Sequence, residues 1–402
     1  MNVYQKIKQY SISEILLITI LVTLFLRQNV NSIAIILFFL LAIYNFIRND
    51  SKVCFNKLSL LLISFYVLCI LSLLWSNNLD KTKVGLTRFL SFLVLPIAFS
   101  FNFAKQFKKE KIVNIFARLL ILCALYCLSV GVINAINNSD ISYLFYHKLS
   151  NSLSNLNAIY LSVFVSLGIS FLLNKETKSK LDIFNLLILS LFLILLSSKI
   201  IISITLLTTI FLFFKRRKFK IKSFPIIILI SLGLFLAGTN FFNRIKLEFE
   251  KTKINEVLNK TKFGPVYLWT GFGLRVFQAK AFVEISQENK NIFLGSGLSN
   301  SQDNLNQKYK EYNFYHGFLN YNYHNQYIQI IAELGVIGLC LFLLILILIL
   351  KEAIFYRDYF LLSFIILILV VCITESFLWR QRGMVFFITM SLFLCKRDKY
   401  CI

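Results

Sequence analysis

The sequence predicts an all-α protein, a polytopic bundle of transmembrane helices with one large polar loop. Apolar stretches recur along most of the 402 residues, and charged residues make up only 15% of the chain. Hydrophobic residues reach 57%, the mean hydropathy is +0.72, and there are only three prolines. A soluble domain of this size cannot bury so many apolar side chains. The net charge of +24 does not indicate a nucleic-acid partner, because the basic residues fall in short turns between apolar stretches.

About twelve apolar stretches are candidate membrane spans. A helix needs about 20 apolar residues to cross a bilayer, and several of these stretches are shorter. We therefore expect some tilted, broken or partly buried helices. In chain order the stretches are 12–26, 33–47, 58–75, 84–101, 112–136, 156–173, 181–196, 200–214, 224–242, 328–350, 360–378 and 384–394.

Basic residues concentrate in every second turn between these stretches, most densely at 215–222 (KRRKFKIK). Cytoplasmic loops of membrane proteins carry an excess of Lys and Arg. We therefore expect both termini in the cytoplasm and residues 243–325, here called the polar segment, outside it. This divides the chain into spans one to nine (1–242), the polar segment, and the last three spans (326–402).

The polar segment predicts an extracytoplasmic lid or small subdomain with short amphipathic helices. Residues 247–259 have the composition of a charged surface helix, and Gly295-Ser296-Gly297 predicts a turn. Residues 275–287 (RVFQAKAFVEISQ) have helical spacing. We expect the apolar face of that helix to consist of Val276, Ala279, Phe282 and Val283.

A cluster of polar residues at 323–327 (YHNQY) marks the boundary between the polar segment and the next apolar stretch. His324 is a candidate catalytic group, because an imidazole titrates near neutral pH. Tyr323, Asn325 and Gln326 are candidate substrate-binding residues beside it. A structural interpretation is also open, since aromatic residues settle at membrane interfaces because their rings are amphipathic.

Two cations on the predicted outer side are further candidates. Lys199 interrupts two short apolar stretches (LLSSKIIIS), and charges at such depth are usually functional or paired. Arg275 follows a Gly-rich lead (GFGLR), and its guanidinium suits a diphosphate held by two parallel hydrogen bonds. The alternatives are a snorkelling lysine and a solvated arginine.

The turn WRQRG carries Arg380 and Arg382, which are candidates for substrate binding at the outer surface. Glu333 and Glu375 are secondary candidates, for which an anchoring role is the favoured interpretation. The cysteines lie in apolar stretches or basic flanks, so we expect neither disulfides nor a zinc site.

The stretch YHNQYIQIIAELGVIGL (323–339) closely resembles a block of the O-antigen ligase and polymerase family. These bacterial membrane enzymes transfer polysaccharide from an undecaprenyl diphosphate carrier. The resemblance includes LLSSKIIISI, GLRVFQAKAF with the family's arginine at Arg275, and GSGLSN, which is similar to the family's Gly-x-Gly turn. Lys199 replaces the family's usual arginine, keeping the charge without the bidentate fork. Phe277 and Gln278 stand near a position where the family often has tryptophan.

The resemblance implies a GT-C-like bundle and an inverting, metal-independent glycosyltransferase of the bacterial inner membrane, acting on the periplasmic side. The donor would be an undecaprenyl-diphosphate-linked glycan. The acceptor would be lipid A core, as in lipopolysaccharide biosynthesis, a protein, or another glycan. Arg275 and Lys199 would stabilise the departing diphosphate, and His324 would activate the acceptor hydroxyl. We expect no cofactor and no metal site, since the first outer turn, 27–32, has no carboxylate.

Two alternatives remain open. A polymerase of the same family would extend the lipid-linked chain, whereas a ligase moves it to a different acceptor. A lipid-linked glycan transporter or flippase is the alternative from another class. Such proteins often show internal repeats and charges at mid-bilayer, whereas here no repeat is detected and the polar candidates cluster at one surface.

Overall fold

The structure is a computed structural model that describes residues 11–48, 53–101, 107–215, 248, 250–264, 266–289 and 292–395. Within these residues the regular elements are helices, and no strand is found. The α-helices of the first part are α1 (Ile12–Thr23), α2 (Gln28–Arg48), α3 (Lys57–Leu71), α4 (Leu79–Phe89), α5 (Ser91–Ser100), α6 (Lys109–Asn137), α7 (Tyr146–Ser150), α8 (Ala158–Asn174), α9 (Lys180–Leu195) and α10 (Lys199–Lys215). The remaining ones are α11 (Ile254–Asn259), α12 (Gly271–Asn289), α13 (Ser301–Glu311), α14 (Gln326–Phe355), α15 (Tyr359–Thr374) and α16 (Gln381–Leu394).

Eleven of the twelve predicted apolar stretches coincide with helices, and the stretch 224–242 lies outside the described residues. Five described helical segments are long and apolar enough to cross a membrane: Gln28–Arg48, Lys57–Leu74, Leu79–Ser100, Lys109–Asn137 and Gln326–Phe355. Shorter apolar helices pack among them, including α8 and α15. The chain is therefore a helical membrane protein.

Helix α8 is the central helix of the bundle. Almost all of its residues are buried, and it packs against α6, α9, α10 and α15. A helix that is apolar on all sides belongs in the interior of a bundle. Helix α16 is buried in the same way from Gly383 onward, and its phenylalanine Phe386 packs on Phe164 of α8 with the ring centres 4.4 Å apart.

The polar segment has a hydrophobic core of its own. Phe277 is fully buried at its centre and contacts the rings of Trp269, Tyr309 and Phe314. Gln278, also fully buried, donates hydrogen bonds from Nε2 to Tyr309 Oη (2.8 Å) and to the Asn322 carbonyl oxygen (2.7 Å). These two adjacent residues tie α12 to α13 and to the residues that precede α14.

The predicted apolar face of α12 is correct only in part. Val276 and Phe282 pack, partly buried, against the core of the polar segment, whereas Val283 is 50% exposed. The fully buried face comprises Leu274, Phe277, Gln278, Ala281 and Ile285. Gln278 made this face look polar, but both donors of its amide are satisfied inside the segment. Burying an amide costs less when its donors are hydrogen-bonded, and of the Gln278 amide only Oε1 lacks a partner among the described residues.

Helix α14 is interrupted at Gly335, where the predicted turn around residues 295–297 packs against it. Gly335 has φ +66° and ψ −169°, a conformation available essentially to glycine alone. The amide of Val336 donates to the Ile292 carbonyl (3.0 Å), while the carbonyls of Ala332 and Glu333 accept from the amides of residues 296 and 297. The loop thus replaces the hydrogen bonds that the broken helical turn gives up.

The expectation of no disulfides is wrong at Cys54, which is disulfide-bonded. Spacing along the chain does not report which cysteines meet in the fold, so it could not reveal this bond. The other described cysteines are free, namely Cys69, Cys123, Cys127, Cys340, Cys372 and Cys395.

Candidate active site

His324 lies in a tight turn immediately before α14. Asn325 caps that helix, because its Oδ1 accepts hydrogen bonds from the amides of Tyr327 (2.9 Å) and Ile328 (3.1 Å). His324 itself adopts a left-handed conformation, with φ +45°, and its amide donates to Asn322 Oδ1 (2.9 Å). The turn therefore fixes the position of the imidazole relative to the helix.

Glu375, the residue that follows α15, faces this imidazole. His324 Nδ1 lies 3.3 Å from Glu375 Oε2. An ionised carboxylate only accepts hydrogen bonds, so this contact favours the neutral tautomer with the proton on Nδ1, in which Nε2 is the acceptor. The Glu375 side chain is 9% exposed, whereas that of His324 is 25% exposed. The carboxylate is thus buried, whereas the imidazole remains accessible to a ligand.

Arg275 approaches the same carboxylate from α12. Its Nη2 lies 3.7 Å from Glu375 Oε1. Its Nε and Nη2 donate to the carbonyl oxygen of Thr374, at 3.1 and 2.9 Å. Thr374 is the last residue of α15, where carbonyl groups lack helical partners. The guanidinium therefore caps α15 and stands beside Glu375.

Lys199 joins this group through Glu248. The Lys199 Nζ atom is 2.6 Å from Glu248 Oε2, and Glu248 Oε1 accepts from the amide of Phe272 (3.1 Å) in the first turn of α12. One residue earlier, the carbonyl of Gly271 accepts from Arg275 Nη1 (2.9 Å). The first turn of α12 therefore connects Lys199 to Arg275.

The three residues predicted to be catalytic are thus brought together by two carboxylates. Side chains of Lys199 and Arg275 are 29% and 32% exposed, so both can be reached from solvent. Each cation already has an acidic neighbour, Glu248 for the lysine and Glu375 for the arginine. An anionic ligand would have to compete with these carboxylates for the cations.

The three predicted substrate-binding residues beside His324 have roles in the fold. Asn325 uses its amide oxygen as the cap of α14. Gln326 is 1% exposed, and its Oε1 accepts from the amide of Leu378 (2.7 Å), which ties α14 to the connection between α15 and α16. Tyr323 is likewise 1% exposed and lies in the core of the polar segment.

The two arginines of the WRQRG turn differ from each other. Arg382 Nη2 donates to the carbonyl oxygens of Leu26 (2.7 Å) and Ser154 (2.9 Å), so it joins the ends of distant helices. Arg380 is exposed on the connection that begins with Glu375. Their assignment to substrate binding stays a prediction.

Sequence reasoning missed Glu248 and gave Glu375 an anchoring role. Glu248 was expected in a solvated surface helix, and Glu375 is separated from His324 by 51 positions. The available signal was the scarcity of acidic residues, 19 against 43 Lys and Arg in the whole chain. In so basic a chain, a carboxylate next to a predicted span end has many cations to pair with.

Among the described residues, no group of three or more His, Cys, Asp or Glu side chains is placed to hold a metal ion. The described residues of the site provide two cations, an imidazole with one free nitrogen, and two carboxylates that contact them. Such a set can bind a phosphate-containing group and move a proton.

Fold and site together define a helical membrane protein whose candidate active site, with its paired cations and carboxylates, lies where the polar segment meets the bundle. Residues 183–343 match the model of a family described as O-antigen ligase. The resemblance to the O-antigen ligase and polymerase family is thereby confirmed, and this part of the chain is a domain of that family. It contains Lys199, Arg275, His324 and the break at Gly335. No curated protein matches the chain.

Proposed function

We propose that the protein is an O-antigen ligase-type membrane glycosyltransferase. It moves a polysaccharide from undecaprenyl diphosphate to an acceptor hydroxyl at the outer face of the inner membrane, within a GT-C-like bundle of about twelve spans. The observation that carries the proposal is the meeting of Lys199, Arg275 and His324 inside the segment that matches the family. The polar segment, 243–325, is the extracytoplasmic part in this proposal.

In the proposed reaction the acceptor oxygen attacks the anomeric carbon of the donor sugar. The new glycosidic C–O bond forms as the bond from that carbon to the diphosphate oxygen breaks, and the bonding electrons leave with the diphosphate. Attack from the opposite face inverts the configuration. Arg275 and Lys199 neutralise the charge that grows on the diphosphate, and this role requires no metal ion.

His324 is the proposed general base. Its Nε2 takes the proton of the acceptor hydroxyl while Nδ1 keeps its proton toward Glu375. The carboxylate then lies next to the imidazolium that forms. Glu375 is therefore a positioning residue in this mechanism, acting through His324.

The test is transfer of a lipid-linked glycan by purified protein at matched concentrations. General bases contribute about a hundred- to ten-thousand-fold, and transition-state charge donors contribute a comparable factor. We expect the substitutions His324→Ala, Arg275→Ala and Lys199→Ala each to lower the transfer rate by a factor within that range. Lys199→Arg is the matched control and should retain activity, because a guanidinium keeps the charge and can also bond Glu248. EDTA should leave the rate unchanged.

A ligase and a polymerase share this chemistry and differ in the acceptor. The product of the assay therefore distinguishes them: a longer lipid-linked glycan indicates polymerisation, and a glycan on lipid A core or protein indicates ligation. Full activity of His324→Ala would contradict the mechanism. Movement of the lipid-linked glycan across a bilayer without any transfer would favour a flippase.

A further inference from the structure

The contact between His324 and Glu375 joins parts of the chain that belong to two different helices. His324 precedes α14, whereas Glu375 begins the connection between α15 and α16, residues 375–380. Glu375 has extended backbone angles, φ −146° and ψ 144°, so α15 has ended at this point. Catalytic groups must be held within about 0.5 Å of their working geometry, and a misplacement of about 1 Å can cost about a hundredfold in rate. Whatever fixes the connection against α14 therefore determines whether Glu375 meets the imidazole.

Two adjacent side chains in the first turn of α14 hold the chain on both sides of Glu375. After it, on the connection, the amide of Leu378 donates to Gln326 Oε1 (2.7 Å). Before it, on α15, the carbonyl oxygen of Leu369 accepts from Tyr327 Oη (3.0 Å). Both side chains belong to the helical turn that directly follows the imidazole and its cap. The first turn of α14 thus carries one partner of the contact and grips the segment that carries the other.

A third polar side chain on α14 fixes this helix to the polar segment. Gln329 is 2% exposed, and its Nε2 donates to Ser301 Oγ (2.9 Å) and to Glu333 Oε1 (2.8 Å). The hydroxyl of Ser301, the first residue of α13, donates to the same Glu333 oxygen (3.0 Å). On the other side, Gln329 Oε1 lies 3.5 Å from Ser376 Oγ. Moving α14 would break these buried hydrogen bonds, so the helix is a fixed reference for both partners.

We propose that Gln326 and Tyr327 are positioning residues, which hold Glu375 against His324. The inference rests on the proposed function, in which His324 is the general base. Gln326 is 1% exposed and so does not reach a substrate. An apolar side chain of the same size would be cheaper to bury at its position, and what the amide adds is the bond to the connection. Without that bond we expect the connection to adopt several positions, so that the imidazole meets the carboxylate only part of the time.

The first test measures hydrogen–deuterium exchange in the purified full chain, in peptides that contain the Leu378 amide. Gln326→Met keeps the approximate volume of the side chain and removes the accepting oxygen. We expect the Leu378 amide to exchange about fivefold faster or more, which corresponds to the loss of one hydrogen bond. Tyr327→Phe is the milder second variant, because it removes one hydroxyl and keeps the ring. It should show the same change to a smaller extent.

The second test is a double-substitution cycle in the transfer assay. Gln326→Met should lower kcat about tenfold, because the pair is misplaced, and should leave the KM for the donor within twofold. In a protein that already carries Glu375→Gln, the same substitution should lower kcat by less than twofold, since the group that it positions is gone. A purely structural role of Gln326 would lower kcat by equal factors in both proteins, and that outcome overturns the proposal.

Asn31→Leu is the matched control for a buried amide. Asn31 is also 1% exposed, and its Nδ2 donates to the carbonyl oxygen of Ile20 (3.0 Å) and to the hydroxyl of Thr23 (2.9 Å), which join α1 to α2. Asn31→Leu should lower the unfolding temperature and leave both kcat and the exchange of the Leu378 amide unchanged. A fall in kcat equal to that of Gln326→Met would show that any lost buried amide has this effect, which overturns the proposal.

The exchange measurement separates this inference from the proposed function, because it requires no substrate. Unchanged exchange in both Gln326→Met and Tyr327→Phe overturns the inference, even if the unsubstituted protein transfers glycan. Faster exchange with an unchanged kcat also overturns the positioning role and leaves the proposed function intact. If the unsubstituted protein transfers no glycan, the proposed function fails, and faster exchange in the two variants still supports the hold on Glu375.

Discussion

At the level of single residues, two carboxylates set the charge of the candidate active site. Glu248 pairs with Lys199 at 2.6 Å, and Glu375 stands 3.7 Å from Arg275. Two positive charges are thus offset by two negative ones before any ligand arrives. A diphosphate that displaces these carboxylates gains less than it would at unpaired cations, because the existing pairs must be broken. The same carboxylates favour release of the spent diphosphate afterwards.

The role of Glu375 can be tested with Glu375→Gln, which keeps the size of the side chain and removes its charge. A neutral amide stabilises the imidazolium of His324 less than a carboxylate does, so we expect kcat to fall about tenfold or more. The KM for the donor should stay the same or fall, because Arg275 loses its acidic neighbour. Steady-state transfer kinetics measure both constants.

The control is Glu176→Gln, since Glu176 is exposed and lies between α8 and α9. It should transfer as the unsubstituted protein does. A kcat for Glu375→Gln within twofold of the starting protein would show that the carboxylate only anchors the end of α15.

At the level of elements, the break in α14 determines how the polar segment meets the bundle. A Cβ added at Gly335 would lie 2.0 Å from the carbonyl oxygen of Phe293. At Gly295 it would lie 2.7 Å from the carbonyl oxygen of Glu333. Backbone therefore packs directly on backbone, with glycine on both sides of the contact.

We expect Gly335→Ala to lower the free energy of unfolding by about 3 kcal/mol or more, since it combines backbone strain with a collision. Gly264→Ala is the matched control: Gly264 also has a positive φ, +68°, but nothing lies within 4 Å of an added Cβ. It should cost only about 1–2 kcal/mol. Thermal unfolding of the detergent-solubilised proteins gives the comparison. Equal losses would mean that the close approach to Phe293 contributes nothing.

The sequence predicted the elements better than it predicted their contacts. Apolar stretches are a local signal, so the predicted spans coincide with helices wherever the chain is described. The break at Gly335 was not foreseen, because a lone glycine in an apolar helix does not reveal that another backbone will approach it. The burial of Gln278 in α12 was missed for a related reason: its partners come from α13 and the residues before α14.

For the candidate site, the sequence likewise predicted the residues but not their arrangement. His324, Arg275 and Lys199 were found from their positions at helix ends and from the family resemblance. Their common arrangement around Glu375 and Glu248 depends on which loops meet, and sequence separation does not report that.

At the level of the whole molecule, the orientation in the membrane decides whether the site faces the substrate. The alternation of basic turns predicts Lys310, in the polar segment, outside and Lys351, near the end of α14, in the cytoplasm. Both residues are exposed. We expect Lys310→Cys to react with a membrane-impermeant maleimide in intact spheroplasts, and Lys351→Cys only after permeabilisation.

The unsubstituted protein is the control for reaction at the native cysteines, of which Cys340 is exposed. Labelling of both introduced cysteines under the same condition would put them on one side of the membrane. That outcome would contradict the assigned topology and the proposal that the polar segment faces outward.

The interruption at Gly335 also bears on how the chain is assembled. Residues 292–298 precede α14, so synthesis delivers them first. An isolated α14 would close its own turn, because an amide in hydrocarbon needs a partner and a continuous helix supplies one. We therefore expect α14 to enter the bilayer straight and to bend only when residues 292–298 dock against it. The bend therefore requires both segments, and it forms when the polar segment docks against the bundle.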